Sequence, residues 1–192
     1  MNKNHTDLTK TRAQWRAALI AQRLAIREED RVIATQTIST TLSAVIQQRA
    51  ASVKTIGAYI PHRGEVDLRG WMAIVDFQQA AALALPVVLE PAMPLRFARF
   101  RIGDTLVKGA HGIDIPDKQE WVVPDVLLVP CVGFTRNRLR LGYGGGYYDR
   151  TLASMRPKPL TLGIAFACQE CSVIAQEHDA VMDAIITEKF VL

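Results

Sequence analysis

The run DVLLVPCVGF at residues 125–134 is the feature that most limits how this chain can fold. Apolar side chains occupy both alternating sets of positions through most of the run, so a strand formed here has no face for solvent. Such a strand is stable only in a sheet that is covered on both sides. The run therefore predicts the central strand of a buried sheet.

Helical and strand patterns alternate along the rest of the chain, which favours an α/β fold with a parallel or mixed sheet. Ligands of such sheets bind outside the carboxyl ends of the strands, so we expect the loops after residues 60 and 134 to form the site. The predicted helices are residues 8–26, capped by Thr9 or Asp7, 28–49, 67–79 and 147–155. The predicted strands are residues 53–60, 83–89, 95–101, 125–134, 160–166 and 184–191, and a loop rich in Gly and Pro spans 109–124.

The composition is typical of a globular protein that forms a single domain over residues 1–192. Hydrophobic residues make up 49% of the chain and charged residues 22%, which excludes a disordered or fibrous protein. The longest apolar run, residues 80–89, is interrupted by Pro86 and is far shorter than the roughly 20 residues that cross a bilayer. The N-terminal sequence lacks the apolar core of a secretory signal, so we expect a cytoplasmic protein.

The chain has three cysteines, too few for a disulfide framework. Cys131 lies in the apolar run and is expected in the core. Cys168 and Cys171 form a lone C-x-x-C pair, for which a zinc or redox role is the alternative to a structural one. A zinc site would need two further ligands, and a redox pair usually opens a helix after a strand.

Residues 139–150, LRLGYGGGYYDR, place a glycine-rich loop between a buried strand and a helix. Glycines there allow positive φ and let backbone N–H groups approach a ligand closely. The first N–H groups of the following helix favour an anion, and phosphate is the usual one. The spacing matches neither the dinucleotide fingerprint nor the Walker loop, so this is another type of phosphate loop or a tight surface turn.

Asp149 favours the phosphate loop over the surface turn and adds a metal to it. A carboxylate beside a phosphate repels it unless a divalent cation lies between them, and Mg²⁺ takes one or two carboxylates together with phosphate oxygens. Arg140 and Arg150 flank the loop and are candidates for contacts with phosphate oxygens. The alternative for both arginines is a solvated charge.

The first predicted helix has a basic ridge, because Arg12, Arg16, Arg23 and Arg27 fall within about 60° of one another on a helical wheel. Like charges four residues apart repel, and an anionic ligand would relieve the repulsion. The net charge of +4 permits such a ligand. The alternative is a basic face turned to solvent.

Acidic residues at two other places are candidates for a site. In PHRGEVD, Asp67 is expected to cap the next helix, whereas Glu65 has no local role and could accept hydrogen bonds from amide-like N–H groups of a ligand. In EHDAVMDAIITE, Asp179 and Asp183 would share a helix face. Asp179 also follows His178, a pair that resembles a metal-binding corner but is more often structural.

These segments together resemble the 5-formyltetrahydrofolate cyclo-ligases, also called methenyltetrahydrofolate synthetases. The resemblance runs in order from TRAQWRAALIAQR through AYIPHRGEVD, LALPVV, LRFARF, VLLVPCVGF and RLGYGGGYYDR to EHDAVMDAIITE, and the glycine loop with YYD is its most specific part. It implies an α/β fold that is a three-layer α/β/α sandwich with a mostly parallel central sheet. It also implies ATP as co-substrate, Mg²⁺ as cofactor and a reduced folate as substrate. The implied product is 5,10-methenyltetrahydrofolate, formed with release of ADP and phosphate.

The resemblance also implies roles for individual residues. Arg140 and Tyr148 match catalytic positions, and Asp149 and Asp179 match the magnesium carboxylates. The ATP-binding positions are Arg12, Arg16, Arg140, Leu141, Gly142, Tyr143, Gly144, Gly145, Gly146, Tyr147 and Tyr148. The folate-binding positions are Tyr59, Glu65, Tyr143, Gly144, Gly145, Gly146 and Tyr147. The sequence departs from the family pattern at Thr135, where Asp is common, and at Arg138, where Gly is usual.

Three other functions stay open at this point. A sugar-phosphate isomerase or a relative of the CoA-transferases would bind phosphate without ATP, and Asp149 disfavours it. A nucleotide or folate sensor would bind the same ligands without turnover. A nucleic-acid-binding protein would use the arginine ridge, but it leaves the glycine loop unexplained.

Overall fold

The computed structural model describes residues 10–50 and 52–192, and it contains four α-helices. They are α1 (Arg12–Leu24), α2 (Glu28–Arg49), α3 (Arg69–Phe77) and α4 (Tyr147–Ser154). Helix α2 has the predicted bounds. Helix α1 begins after Thr11, whose side chain accepts a hydrogen bond from Gln14 N in a capping box. The predicted start at Leu8 and the predicted caps Thr9 and Asp7 lie outside the described residues.

A seven-stranded sheet forms the centre of the molecule, with strand order β11-β10-β7-β1-β2-β3-β6. Strands β11, β10, β7, β1 and β2 run parallel to one another, and β3 is antiparallel to both β2 and β6. The α/β fold with a mostly parallel sheet is therefore confirmed. The strands are β1 (Thr55–Gly57), β2 (Ala82–Val87), β3 (Arg96–Phe100), β4 (Leu106–Lys108), β5 (Asp114–Pro116), β6 (Trp121–Val122), β7 (Val126–Pro130), β8 (Gly133–Phe134), β9 (Arg140–Leu141), β10 (Leu160–Ile164) and β11 (Ala184–Ile186).

Helices cover both faces of this sheet, as strand β7 shows. Val126 and Leu128 point to one face and pack in a core cluster with α2 and α3. Leu127 and Val129 point to the other face, where they pack in a cluster with α4. All four side chains are fully buried, which is why the run has no polar alternation. The prediction of a three-layer sandwich is confirmed by this packing.

Several predicted segments were wrong in detail. The helix predicted at 67–79 spans Arg69–Phe77, and its N-cap is Leu68, with no side-chain cap, so Asp67 does not cap it as predicted. The predicted loop 109–124 contains β5 and β6, strands of three and two residues that are too short to show a period. The predicted strand 125–134 is divided, because the chain changes partners after Pro130. Strand β7 pairs with β1 and β10, whereas β8 pairs with β9 in a separate two-stranded sheet.

The order of the strands places a candidate site at one edge of the sheet. From β1 the chain adds strands on one side, through β2 and β3 to β6, and then returns to add β7, β10 and β11 on the other side. The connections after β1 and β7 therefore leave in opposite directions from adjacent carboxyl ends. Such a point in an open α/β sheet forms a crevice where ligands bind.

The described cysteines are free thiols, and burial raises the pKa of Cys131 to about 12 and that of Cys171 to about 11. Burial also raises the pKa of Cys168. Thiols of this kind stay protonated and unreactive at neutral pH, which disfavours the redox interpretation of the C-x-x-C pair. None of the helices in the described ranges has the length and apolar character that crossing a membrane requires.

Candidate active site

A cavity of about 1560 Å³ opens at the carboxyl ends of β1 and β7, where the fold predicts a ligand site. It collects side chains and backbone from α1, from the loop after β1 and from the glycine loop with the start of α4. Leu141 does not belong to it, because its side chain is fully buried against α1. The predicted site residues that line the cavity are Arg12, Arg16, Tyr59, Glu65, Arg140, Gly142, Tyr143, Gly144, Gly145, Gly146, Tyr147, Tyr148, Asp149 and Asp179.

The glycine loop presents backbone N–H groups to this cavity. Gly144 and Gly146 have φ values of 100° and 65°, in the region that favours glycine. A Cβ at Gly144 would lie 3.2 Å from Cζ of Arg16, so glycine also makes room for this guanidinium. Within the described residues, the N–H groups of residues 143–146 have no protein acceptor, and no side chain caps α4. The loop is therefore a cluster of free donors at a helix N-terminus, which suits an anion.

Two arginines add positive charge to the same end of the cavity. Arg16 donates from Nε to the Gly142 carbonyl at 2.8 Å, and it forms no ion pair with any described residue. Burial and the neighbouring Arg12 lower the pKa of Arg16, as expected for a cation that has no counter-ion. Arg140 is 6% exposed, and its Nε is buried without a hydrogen-bond partner in the described structure. An unpartnered buried donor is costly, and a bound anion would satisfy it.

Asp149 is paired with Arg140, which the sequence did not indicate. The two side chains form two parallel hydrogen bonds, Nη1 to Oδ1 at 3.0 Å and Nη2 to Oδ2 at 3.2 Å. Asp149 Oδ1 also accepts a hydrogen bond from Ala180 N at 3.2 Å. The carboxylate is thus compensated by a guanidinium, so its place beside the loop does not by itself require a cation.

Asp179 forms a similar pair with Arg12 of α1. Arg12 donates to both carboxylate oxygens and to the Ile174 carbonyl, and Gln176 N donates to Asp179 Oδ2 at 2.7 Å. Burial alone would raise the pKa of Asp179, but these hydrogen bonds outweigh it and the pKa is lowered. Asp183 does not share a helix face with Asp179 as predicted, because the segment is not helical and Asp183 binds Thr161 N at 2.8 Å.

The magnesium prediction rests on Asp149 and Asp179. Ala180, the residue after Asp179, donates its N–H to Asp149 Oδ1, and this hydrogen bond brings both carboxylates to one side of the cavity. No group of three or more His, Cys, Asp or Glu side chains in the described part of the chain is arranged to hold a metal alone. Two carboxylates nevertheless fit Mg²⁺ bound with a nucleotide, since phosphate oxygens and water complete its shell.

Glu65 also lines the cavity and is only 6% exposed. It has a local role after all, since Oε2 accepts from His62 N at 2.9 Å and closes the turn that contains both residues. Oε1 accepts from the Tyr143 hydroxyl at 3.0 Å. Burial raises the pKa of Glu65, and the two hydrogen bonds together with the charge of Arg23 oppose that rise. Tyr59, beside it, donates its hydroxyl to Val66 O at 2.9 Å.

The tyrosines that follow the glycines stack with arginines. The guanidinium of Arg140 lies 5.4 Å from the ring of Tyr148, and that of Arg150 lies 5.3 Å from the ring of Tyr147. Arg150 also donates to the Gly145 carbonyl. These stacks fix the orientation of the guanidiniums at the start of α4.

The predicted basic ridge divides into three environments, and Arg27 lies beyond the end of α1. Arg12 and Arg16 line the cavity, as predicted. Arg27 is outside it, paired with Asp30 on the surface at 2.8 Å. Arg23 is fully buried and was missed as a site residue, because its partners are carbonyls and a hydroxyl from distant loops. Its position on the same helix stripe as Arg12 and Arg16 is the one signal in the sequence that could have identified it.

Residues 8–188 match the 5-formyltetrahydrofolate cyclo-ligase family. The 5-formyltetrahydrofolate cyclo-ligase of Haemophilus influenzae is 30% identical over 178 residues, with 88% of this chain and 93% of that protein covered. The 5-formyltetrahydrofolate cyclo-ligase of Mycolicibacterium smegmatis is 29% identical over 193 residues, which cover 94% of this chain and 95% of that protein.

Solved structures have the same fold. The 5,10-methenyltetrahydrofolate synthetase of Aquifex aeolicus superposes with a TM-score of 0.78 at 28% identity, with 94% of this chain and 91% of that chain covered. The 5,10-methenyltetrahydrofolate synthetase of Mycoplasma pneumoniae superposes with a TM-score of 0.76 at 23% identity. The superposition covers 93% of this chain and 99% of that chain.

Proposed function

Because the chain belongs to the 5-formyltetrahydrofolate cyclo-ligase family and is a ligase, we propose that it uses ATP and Mg²⁺ to convert 5-formyltetrahydrofolate into 5,10-methenyltetrahydrofolate. ADP and phosphate are the other products. The observation that supports this reaction is a single cavity that joins a cluster of anion donors to a buried carboxylate. A triphosphate and a ring with amide-like N–H groups can therefore bind in it side by side.

The glycine loop is the proposed phosphate end. Its free N–H groups, Arg16 and the unpartnered Nε of Arg140 supply the donors. Glu65 is the proposed acceptor for the N–H groups of the folate ring, because each of its oxygens uses one acceptor position within the protein and keeps another. Tyr143 and Tyr147 line the same cavity, and their rings can pack against either ligand.

Asp149 and Asp179 are the proposed ligands for Mg²⁺, which when bound would neutralise charge on the triphosphate. Both carboxylates are engaged by arginines in this structure. Binding of the nucleotide would offer Arg140 and Arg12 phosphate oxygens in exchange for these carboxylates. The residues of this site therefore favour joint binding of ATP and the ion over binding of the ion alone.

The proposed chemistry needs no nucleophile from the protein. The formyl oxygen attacks the γ-phosphorus, the bond to the β-phosphate oxygen breaks, and ADP leaves. N10 then attacks the activated formyl carbon, the carbon–oxygen bond breaks, and phosphate leaves as N10 loses its proton. The protein positions the two substrates and stabilises the transferring phosphoryl group, which is how such transfers are generally catalysed. Arg140 is the proposed stabilising cation, and Tyr148 holds its guanidinium plane.

A direct assay tests the proposed function. Purified protein is mixed with 5-formyltetrahydrofolate, ATP and Mg²⁺, and the near-ultraviolet absorbance of the methenyl product is followed. We expect a signal that disappears when any one of the three is omitted. ATP binding with no product would contradict the proposal and favour the sensor that the sequence left open.

Arg16→Met tests the phosphate end separately. Arg16 forms no ion pair, so its removal leaves no carboxylate unpaired in the described structure. We expect the KM for ATP to rise about tenfold, as for loss of a hydrogen bond to a charged group, with the folate KM unchanged. Initial rates at varied ATP measure this, and Arg27→Met, outside the cavity, is the control. An ATP KM equal to that of the control would remove Arg16 from the site.

A further inference from the structure

Arg23 is a fully buried arginine with no carboxylate partner among the described residues. Its guanidinium donates from Nε to the Arg63 carbonyl at 3.1 Å and from Nη1 to the Cys131 carbonyl at 3.2 Å. A buried charge is costly, and carbonyl groups compensate it less well than a carboxylate does. A protein that needed only packing at this position would be better served by an apolar side chain. The arrangement therefore calls for a functional explanation.

A long bond from Nη2 reaches the His62 carbonyl at 3.5 Å, and the shortest bond of Arg23 leads to the active site. Nη2 donates to the Tyr143 hydroxyl at 2.7 Å, and that hydroxyl lies 3.0 Å from Oε1 of Glu65. Arg23 has only donors, so the hydroxyl must accept from it and has a single proton left to give. The other acceptor in reach is the His62 carbonyl, at 3.3 Å. The shorter distance and the negative charge favour Glu65.

These hydrogen bonds determine the orientation and the ionisation of Glu65, the proposed folate acceptor. Glu65 is held on one oxygen by His62 N and on the other by Tyr143, so its plane is fixed and its free acceptor positions are defined. Burial disfavours its ionised form, whereas the nearby charge of Arg23 favours it. An ionised Glu65 is acceptor-only on both oxygens, whereas a protonated Glu65 turns one oxygen into an O–H donor.

We infer that Arg23 is a positioning residue for the folate end of the cavity, acting through the Tyr143 hydroxyl to orient Glu65 and keep it ionised. The inference rests on the proposed function for the identity of the ligand. Tyr143 belongs to the glycine loop, so the same bonds hold that loop against the folate end. Arg23 itself is buried and does not touch the substrate.

Tyr143→Phe is the first test, because it removes one oxygen and keeps the ring. We expect the folate KM to rise about tenfold. Arg23→Lys keeps the buried charge but loses the forked geometry, and we expect a rise of the same kind. Thermal unfolding of each variant reports on stability separately. A merely structural role would lower the unfolding temperature and leave the folate KM unchanged.

A double-mutant cycle with Glu65→Gln shows whether the effect passes through Glu65. We expect Tyr143→Phe to add less than twofold to the folate KM once Glu65 is Gln. Tyr147→Phe is the matched control, because it also removes a hydroxyl group next to the glycine loop. The Tyr147 hydroxyl contacts His111 at 3.4 Å and not Glu65. The effects of Tyr147→Phe and Glu65→Gln on the folate KM should therefore multiply. A full tenfold effect of Tyr143→Phe in the Glu65→Gln background would overturn the inference.

Direct titration of 5-formyltetrahydrofolate without ATP separates this inference from the proposed function. A wild-type protein that binds the folate without turnover would overturn only the proposed reaction, and the Kd of Tyr143→Phe would still test Arg23. A wild-type protein that binds no reduced folate would overturn both. Unchanged folate affinity in Tyr143→Phe, with wild-type turnover intact, would overturn the inference alone.

Discussion

Asp149→Asn is expected to lose on the order of 100-fold in kcat with ATP and Mg²⁺, because a carboxylate that helps to hold the ion contributes several kcal/mol to the stabilised charge. The variant should affect the two forms of the nucleotide in opposite directions. MgATP should bind more weakly. Metal-free ATP should bind as tightly or more tightly, since a negative charge is removed and Arg140 is released from its pair. Calorimetric titration of ATP with Mg²⁺ and with EDTA measures both.

Arg140→Lys is the matched comparison for Asp149→Asn. It also breaks the two parallel hydrogen bonds between the side chains, but it keeps the carboxylate. We therefore expect it to lower kcat while leaving the Mg²⁺ concentration for half-maximal activity near that of wild type. If Asp149→Asn shifts that concentration no more than Arg140→Lys does, Asp149 serves to position Arg140 and does not hold the ion.

Glu65→Gln is expected to raise the folate KM by between about 10-fold and 100-fold, the cost of removing a charged acceptor from a buried hydrogen bond. The ATP KM should stay within twofold of wild type, because Glu65 forms no hydrogen bond or ion pair with Arg16 or Arg140 in the described structure. Initial rates at varied folate and saturating ATP give the result. The same substitution at Glu120, a surface residue outside the cavity, controls for the lost charge. Equal folate KM values in Glu65→Gln and Glu120→Gln would contradict the assignment of Glu65 to folate binding.

The pH dependence of the wild type gives an independent check on Glu65. Burial raises the pKa of this carboxyl, so the ionised form is lost as the pH falls through a value above the usual range of Glu. We expect kcat/KM for the folate to decline on the acid side at that raised pKa, and Glu65→Gln to abolish the decline. His62 also titrates nearby, and burial lowers its pKa. A decline that persists in Glu65→Gln would belong to His62.

Much of the fold could be predicted from the sequence, because its long elements have strong patterns. Helix α2 lies where it was predicted, at about residues 28–49, and the start of α4 at Tyr147 follows from the glycines before it. The short strands β5 and β6 could not be predicted, since two or three residues show no period. Arg138, where the family usually has glycine, has a φ of 62°, so the sequence departure falls at a backbone position that favours glycine.

The site was only partly predictable, because sequence patterns give the residues but not their partners. The cavity gathers the predicted arginines, the glycine loop and the three carboxylates, and their ligands stay predictions. The pairs Arg140–Asp149 and Arg12–Asp179 join segments that are 9 and 167 residues apart. No local rule indicates that Glu65 closes its own turn or that Arg23 is buried against two loops. These facts depend on the tertiary packing.

Helix α1 fixes the distance between two residues that we propose to position the ligands of this cavity. It places Arg16 at the glycine loop and Arg23 behind Glu65, seven residues and about 10 Å apart along one rigid axis. The spacing between the phosphate end and the folate end is thus set by an element that neither stretches nor bends easily. One inserted residue would turn one of the two arginines away by about 100°. A length change within α1 would therefore disrupt the cavity even though it leaves the glycine loop and the loop after β1 intact.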